Sequence, residues 1–386
     1  MNKIVCDVAI IGGGVIGLSC ARELMRMGMG RVVVLEKEGA VGTGSSSRAN
    51  GGVRAQFTTA INIDFSLYSI GEFEKLQEYG GGLLSFHQTG YLLMTGTDDG
   101  ERGLQAACRL QRERGVPTQW LSAEDVGRRV PFVRVEGLKA GTFHERDGFL
   151  DPHGVVQEMR ESALASGAEI LTNSKVDDID DRGRRFALRS PAADIEAEWV
   201  VDAAGPHARE IGELVGVEVP IDPVRRNLAF IRGDEGHHEL IPMCVDLDTG
   251  VLVRREVAGG YVVAYSDPAD PPGWDVSVDP KFFYDLAERI GNRFDFLEDA
   301  PVDPARSWAG LYPETADHHA IVGPAPENER FIICAGFGGH GIMHSPAAGR
   351  AVSELLVDGR CTTFDIRPLR PSRFAEDDLV IETAVL

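Results

Sequence analysis

The 386-residue sequence predicts a mixed α/β fold, α+β overall: a Rossmann-like domain beside a second domain built on antiparallel sheet. Three observations predict it. A short apolar run at 4–11 enters a glycine-rich turn and leaves it as a helical pattern. Two later apolar runs, Val200–Ala204 and Phe331–Gly336, end in small residues and read as strands buried on both faces. Four others, Gln88–Met94, Arg226–Arg232, Gly250–Arg255 and Gly260–Ser266, read as strands with no crossover helix after them, and these belong to the second domain.

The first element is the strand Ile4–Ile11 (IVCDVAII), which runs straight into Gly12-Gly13-Gly14-Val15-Ile16-Gly17. Leu18, Ala21, Leu24, Met25 and Gly28 then fall on one side of a helix, which Gly28 and Gly30 end. Arg31–Leu35 (RVVVL) is a second buried strand, closed by Glu36. This order makes a dinucleotide fingerprint in its full context. Gly12 permits the tight turn, Gly14 lets a pyrophosphate approach the backbone, and Gly17 lets helix and strand pack closely. The helix N-terminus turns its amides and positive dipole end towards phosphates. Glu36, 19 positions after Gly17, can accept ribose hydroxyls and would repel a 2′-phosphate, which disfavours NADP. The fingerprint alone does not separate FAD from NAD.

Composition bounds the rest. A formal charge of −21 argues against nucleic acid or an anionic membrane surface as partner, since both require a basic footprint. The 45 glycines require close backbone approach somewhere in the fold. The six cysteines form no C-x-x-C pair and no zinc spacing; Cys6, Cys20 and Cys334 sit in apolar runs and read as core residues. A reducing cytoplasm is the expected location. The N-terminal apolar run is broken by Asp7 and the glycines, so no signal peptide is expected, and no run reaches the ~18 apolar residues of a membrane span.

Gly42–Phe57 (GTGSSSRANGGVRAQF) is too polar and glycine-rich for a strand, and its nearness to Glu36 places it at the ribose-pyrophosphate end. Phe331–Gly336 feeds Phe337-Gly338-Gly339-His340-Gly341-Ile342 and a helix over Ser345–Val357, with Pro346 near its start and Gly359 past its end. These segments, with DGFLDPHGVV and VDAAGPHA, resemble the D-amino-acid oxidase-like family of flavoproteins, over residues 8 to 350. The branch looks closest to sarcosine oxidase β subunits, the β subunit of dye-linked L-proline dehydrogenase and glycine oxidase.

The resemblance implies an FAD-binding domain assembled from 1–80, 145–220 and 306–360, a substrate or cap domain from 81–144 and 221–305, and a C-terminal tail, 361–386. It implies FAD contacts from Gly12, Gly14, Val15, Ile16 and Gly17, from Glu36 and Lys37, and from Ser45, Ser46, Ser47, Asn50, Gly51 and Gly52. Further contacts would come from Val176, Ala204, Gly205, Gly338, Gly339, His340, Gly341 and Ile342. Related flavoproteins tether the flavin through a cysteine near the segment that is here Ser307–Thr315; this stretch has none, so noncovalent FAD is expected.

The implied chemistry is oxidation of the C–N bond of a small amine or amino acid, sarcosine-, proline- or glycine-like, by hydride transfer to flavin N5, with the imine hydrolysing in water. Arg54 matches the arginine that holds the substrate carboxylate in monomeric sarcosine oxidases; the alternative is pairing with an acid or a phosphate. The lysine those enzymes carry after G-H-G is here Met343. His340 is the second catalytic candidate, or a conformational residue in a tight loop. Tyr265 is the third, with Tyr261 on the same strand face, or both pack in the sheet. Arg225, Arg226, Arg254 and Arg255 are alternative anion clamps. His318 and His319, as neighbours on a strand, would face opposite sides, so no metal site is expected. Electrons would pass to oxygen, a quinone or a partner subunit. Two other readings share the fold: an FAD-dependent 2-hydroxy-acid dehydrogenase, and a flavin-bearing β subunit active only in a hetero-oligomer. The proline-rich Asp267–Pro280 reads as a loop at the mouth of the site or a subunit contact, and the acidic tail after Phe374 as an interaction segment or a frayed end.

Overall fold

A computed structural model describes residues 3–233, 240–267 and 269–384. Pro268 of the proline-rich loop and the last two residues of the tail lie outside the described residues.

The first sheet grows from β1 (Lys3–Ile11), flanked by β2 (Val32–Leu35) and by β12 (Asp194–Asp202), all parallel. Glu169–Leu171 (β9) adds to β2. β12 serves two partners along its length. Its first half pairs antiparallel with β11 (Phe186–Arg189), itself paired with β10 (Asp178–Asp181). Its last residues pair parallel with β19 (Asn328–Ala335), which hairpins with β18 (Ile321–Ala325). The runs that read as doubly buried strands are so: Val8, Ala9, Ile10, Val32, Val33, Val34, Val200 and Val201 have no exposed surface. The helices among the described residues are, in chain order, α1 (Val15–Arg26), α2 (Ala60–Tyr79), α3 (Asp98–Glu113), α4 (Ala123–Arg129), α5 (Pro152–Ala165), α6 (Ala208–Glu213), α7 (Pro280–Ile290) and α8 (Gly341–Val357). α1 packs against α5 and α8; of the face expected from the sequence, Leu18, Ala21 and Leu24 are buried, Met25 is half-buried and Gly28 is exposed.

Among the described residues the second sheet has eight strands. They are β17 (Trp308–Glu314), β13 (Asp222–Ile231), β16 (Tyr261–Ala264), β15 (Val251–Arg255), β14 (Met243–Asp246), β5 (Tyr91–Thr95), β7 (Ala140–His144) and β6 (Gln119–Leu121), in that spatial order. All neighbours are antiparallel except β14 and β5. A three-stranded patch, β3 (Gly52–Val53), β8 (Gly148–Leu150) and β4 (Phe86–His87), joins the polar 42–57 segment to the chain that feeds this sheet. α7 covers the second sheet through Phe282, Leu286 and Ile290.

Three details differ from the sequence reading. Trp308–Glu314, placed by resemblance at the start of the last FAD-domain piece, is an edge strand of the second sheet, fully paired with β13. The last long helix begins at Gly341 instead of Ser345, which puts Pro346 inside it. Pro346 has no N–H for the Ile342 carbonyl, and the Ser345 hydroxyl donates to that oxygen instead at 2.9 Å. The described part of the tail is packed and not frayed: Arg373 and Glu382 are completely buried, and Glu382 N–H donates to the Asp317 carbonyl at 3.1 Å. All six cysteines are free, and among the described residues no helix is long and apolar enough to cross a membrane.

Candidate active site

A cavity of about 940 Å³ opens where the C-terminal ends of β1, β12 and β19 face the second sheet. This is the crevice at the carboxyl ends of parallel strands where open α/β sheets take ligands. At one end stand Glu36, Lys37, Ser174, Lys175 and Val176; at the other, Arg54, Tyr91, Tyr312 and His340.

The glycine turn is built from both sides. Gly12 sits at φ 111°, and a Cβ on it would lie 2.4 Å from the Ala203 carbonyl oxygen. Glu36 Oε2 accepts the Gly13 N–H at 2.9 Å, and its Oε1 accepts the Glu38 N–H at 2.8 Å. Carboxylate oxygens have further lone pairs, so Glu36 can still receive hydroxyls. Ser46 Oγ accepts the Val15 N–H at 3.1 Å, which satisfies one first-turn amide of α1, and Gly42 N–H donates to the Gly13 carbonyl at 2.9 Å. The serine segment is therefore packed on the fingerprint turn and is no surface linker.

Gly12, Gly14, Val15, Ile16, Glu36, Lys37, Ser45, Ser46, Asn50, Gly51 and Gly52 all line the cavity. So do Val176, Ala204, Gly205, Gly338, Gly339, His340, Gly341 and Ile342. Two expected contacts are not on its wall. Ser47 donates its hydroxyl to the Gly44 carbonyl at 3.3 Å. Gly17 faces inward, where a Cβ would stand 2.0 Å from the Gly12 carbonyl oxygen.

Arg54 lines the cavity and is 1% exposed. Nη1 donates to the Gln56 carbonyl at 2.6 Å, Nη2 donates to the Ala384 carbonyl, and the guanidinium lies 3.9 Å over the Phe57 ring. Among the described residues two of its five N–H donors are thus committed. His340, the residue before α8, meets Phe57 edge-on at 4.9 Å between ring centroids. Burial, and next the charge of Arg54, push its pKa well below the usual histidine range. His344, one turn along α8, is held neutral by burial and by His340, and its Nε2 lies 3.0 Å from Ser66 Oγ.

Tyr265 departs from its expected role. It touches the cavity wall, but its hydroxyl donates to Asp285 at 3.2 Å and its ring stacks on Phe282 at 5.1 Å. It is a core residue beneath the sheet, as is Tyr261. The arginine alternatives separate in the same way. Arg225 binds Asp275 and Asp279, Arg254 binds Asn50, and Arg255 reaches Tyr261. Of the four, Arg226 alone lines the cavity; it pairs with Asp270 at 3.1 Å, and its Nε–H has no partner among the described residues. His318 and His319 turn to different partners, Glu314 and Thr59.

Two wall residues were not singled out from the sequence. Tyr91 and Tyr312 approach from β5 and β17, and burial raises both pKa values, so both hydroxyls stay protonated. Tyr312 stands over the last glycine loop, where a Cβ on Gly339 would meet its ring at 2.7 Å. Only strand pairing brings these tyrosines to one place, and no local pattern marks them.

The residues present fit FAD. The volume suits a cofactor-sized ligand. The wall offers a ribose-accepting carboxylate at one end, hydroxyls and glycine backbone along the middle, and a helix N-terminus beside Gly338–Ile342 at the other. Added Cβ atoms at Gly44 and Gly205 would meet nothing within 4 Å, so the backbone there borders open space.

The comparisons agree. The chain is 28% identical over 426 residues to the FAD-dependent oxidoreductase domain-containing protein 1 of Xenopus laevis, covering 98% of this chain and 85% of that protein. It is 28% identical over 381 residues to glycine oxidase of Geobacillus kaustophilus, covering 95% and 97%. The crystal structure of L-proline dehydrogenase from P. horikoshii superposes with a TM-score of 0.92 at 26% identity, covering 98% of this chain and all of that one. The signature of FAD dependent oxidoreductases (DAO) matches residues 7–355, and the chain belongs to that family of FAD-dependent oxidoreductases.

Proposed function

We propose that the chain oxidises the C–N bond of a small amino acid or related amine whose carboxylate Arg54 holds. The observation that carries this reading is the position of Arg54: a buried arginine, with two of its five donors committed among the described residues, on the wall of the cavity that also contains the start of α8. Bound FAD supplies the two-electron acceptor. The residues of the chain supply orientation. Arg54 presents a planar fork to a carboxylate, and the protonated Tyr91 and Tyr312 hydroxyls add donors beside it. Leu228, Leu252, Ala264 and Met343 give that end apolar walls that exclude water. The positive end of α8 favours negative charge beside Gly338–Ile342. FAD would be held without a covalent bond, by the turn, Glu36 and the serine segment.

A second reading rests on His340. A neutral imidazole on the cavity wall can take the hydroxyl proton of a 2-hydroxy acid, a demand that amine oxidation does not make. The test is anaerobic: flavin absorbance is followed while sarcosine, L- and D-proline, glycine, other D-amino acids and 2-hydroxy acids are added in turn. Bleaching by an amine, with the half-saturating concentration raised roughly 10- to 100-fold in Arg54→Met, supports the amine reading. Bleaching by 2-hydroxy acids alone transfers the assignment to the second. A yellow protein that none of these compounds bleaches points to a subunit that needs a partner chain.

A further inference from the structure

The C-terminal segment returns to Arg54, a residue of the cavity wall. Residues 381–384 run beside Thr58–Asn62, the turn that leads into α2. Glu382 is completely buried there. Its carboxylate accepts the Thr58 N–H at 3.0 Å, the Thr59 hydroxyl at 2.7 Å, Asn62 Nδ2 at 3.0 Å and the Ala384 N–H at 2.9 Å, and also the Thr58 hydroxyl. Burial opposes this charge, but the threonine hydroxyls, the Ala384 amide and Arg54 outweigh it and hold the carboxyl below the usual glutamate range. A carboxylate with this many donors is a lock, because no water could replace all of them at once.

Two residues after the lock, the Ala384 carbonyl accepts from Arg54 Nη2. The other anchor of Arg54, the Gln56 carbonyl, lies two residues from it in sequence and comes with its own loop. The orientation of the fork therefore depends on a carbonyl that the far end of the chain must bring. Among the described residues the direct hydrogen-bond partners of Arg54 are backbone carbonyls, and the Glu382 and Asp147 carboxylates act on its charge from further off.

We propose that Glu382 is a positioning residue for Arg54: it fastens the C-terminal segment so that the Ala384 carbonyl turns the guanidinium towards the cavity, and thereby sets the affinity of the site for a carboxylate. This rests on the assignment of Arg54 as the carboxylate clamp.

The test reads binding and not turnover. The full-length, FAD-loaded protein is titrated with acetate and with benzoate, carboxylates that carry no amine, and the shift of the flavin absorbance is followed. Glu382→Gln replaces an acceptor oxygen with an NH₂ group that faces donors. It is expected to raise the carboxylate Kd at least about tenfold with FAD retained, and Glu382→Asp to restore part of the affinity. The double variant Glu382→Gln/Arg54→Met is expected to bind no more weakly than Arg54→Met alone, because Glu382 acts only through Arg54. A merely structural role would lower the melting temperature without this non-additivity. If Glu382→Gln fails to retain FAD, Thr59→Val, which removes one donor, is read in the same cycle. An unchanged Kd, or additive losses in the double variant, overturns the proposal. Failure of wild-type protein to bind either carboxylate, while amines still bleach the flavin, overturns it too and leaves the amine reading intact. Carboxylate binding that depends on Arg54 and Glu382, without bleaching by any amine, upholds it and removes the amine reading.

Discussion

Glu36 Oε2 accepts the Gly13 backbone N–H at 2.9 Å, so the carboxylate at the end of β2 pins the glycine turn that begins α1. Its other oxygen holds the Glu38 N–H at 2.8 Å. Glu36 therefore shapes the site before any ribose reaches it. Glu36→Gln places an NH₂ against one of these donors and leaves a buried amide unpaired, at a cost of about 1–3 kcal/mol. FAD affinity, measured by fluorescence quenching on reconstitution of the apoprotein, is expected to fall roughly 10- to 100-fold. Affinity equal to wild type would mean that Glu36 plays no part in holding the turn.

Close packing at this turn makes Gly17 indispensable, whereas Gly71 in α2 is replaceable. Gly17→Ala drives a methyl to 2.0 Å from the Gly12 carbonyl oxygen, which must move and open the turn. Overpacking of this kind costs about 1–3 kcal/mol or more, and the variant is expected to purify without its yellow colour. Gly71 in α2 has nothing within 4 Å of its added Cβ, and Gly71→Ala is expected to stabilise the protein by about 0.5–1 kcal/mol. Chemical denaturation of both variants checks the opposite signs.

Much of the site could be read in the sequence because it is local. Gly12, Gly14, Glu36 and the 42–57 segment lie within one βαβ unit and the loop after it, where spacing alone places them. The doubly buried strands are visible as nearly continuous apolar runs. What escaped depends on distant pairing. Tyr312 reaches the cavity only because β17 joins the second sheet beside β13. Tyr265 has a wall position, yet the direction of its hydroxyl is set by Asp285 on α7. The start of α8 was misplaced because proline marks a first turn in sequence statistics, and here a serine hydroxyl makes a later position tolerable. The role of the C-terminal tail had no local signal: Glu382 and Arg373 look like surface residues of an acidic end.

Arg373 and Asp317 form a bidentate pair, Nε–Oδ2 at 2.7 Å and Nη2–Oδ1 at 2.9 Å, with neither side chain exposed. Arg373→Met leaves an uncompensated carboxylate in the interior and is expected to cost about 3–5 kcal/mol, while Arg373→Met/Asp317→Asn recovers most of it. Urea unfolding of the two variants measures both numbers. Desolvation opposes the Asp317 charge, but Arg373 outweighs it and holds the carboxyl below its ordinary range. The contribution of the pair is thus complete above the unfolded aspartate pKa and is lost as pH falls through the folded one.

The histidines behind Arg54 predict the pH dependence of stability. His319, His340 and His344 are all buried, and burial lowers each pKa, with the Arg54 charge adding to the shift at His340 and His344. All three are neutral in the folded protein at pH values where the unfolded chain already binds protons. Stability is then greatest above about pH 6.5 and declines as pH falls from there towards the folded pKa values, by about 1.4 kcal/mol per pH unit for each histidine. His318 works in the opposite sense: its hydrogen bond to Glu314 raises its pKa, so its contribution is already complete below about pH 6.5 and is lost only as pH rises through the folded value. The slope between about pH 6.5 and 5 is therefore set by the buried histidines His319, His340 and His344. Urea unfolding at pH 8, 7, 6 and 5 measures it, and His344→Asn should reduce the slope by about one proton. A flat profile would mean that His340 or His344 is protonated in the folded state, a second cation beside Arg54; that would remove the neutral base on which the hydroxy-acid reading depends.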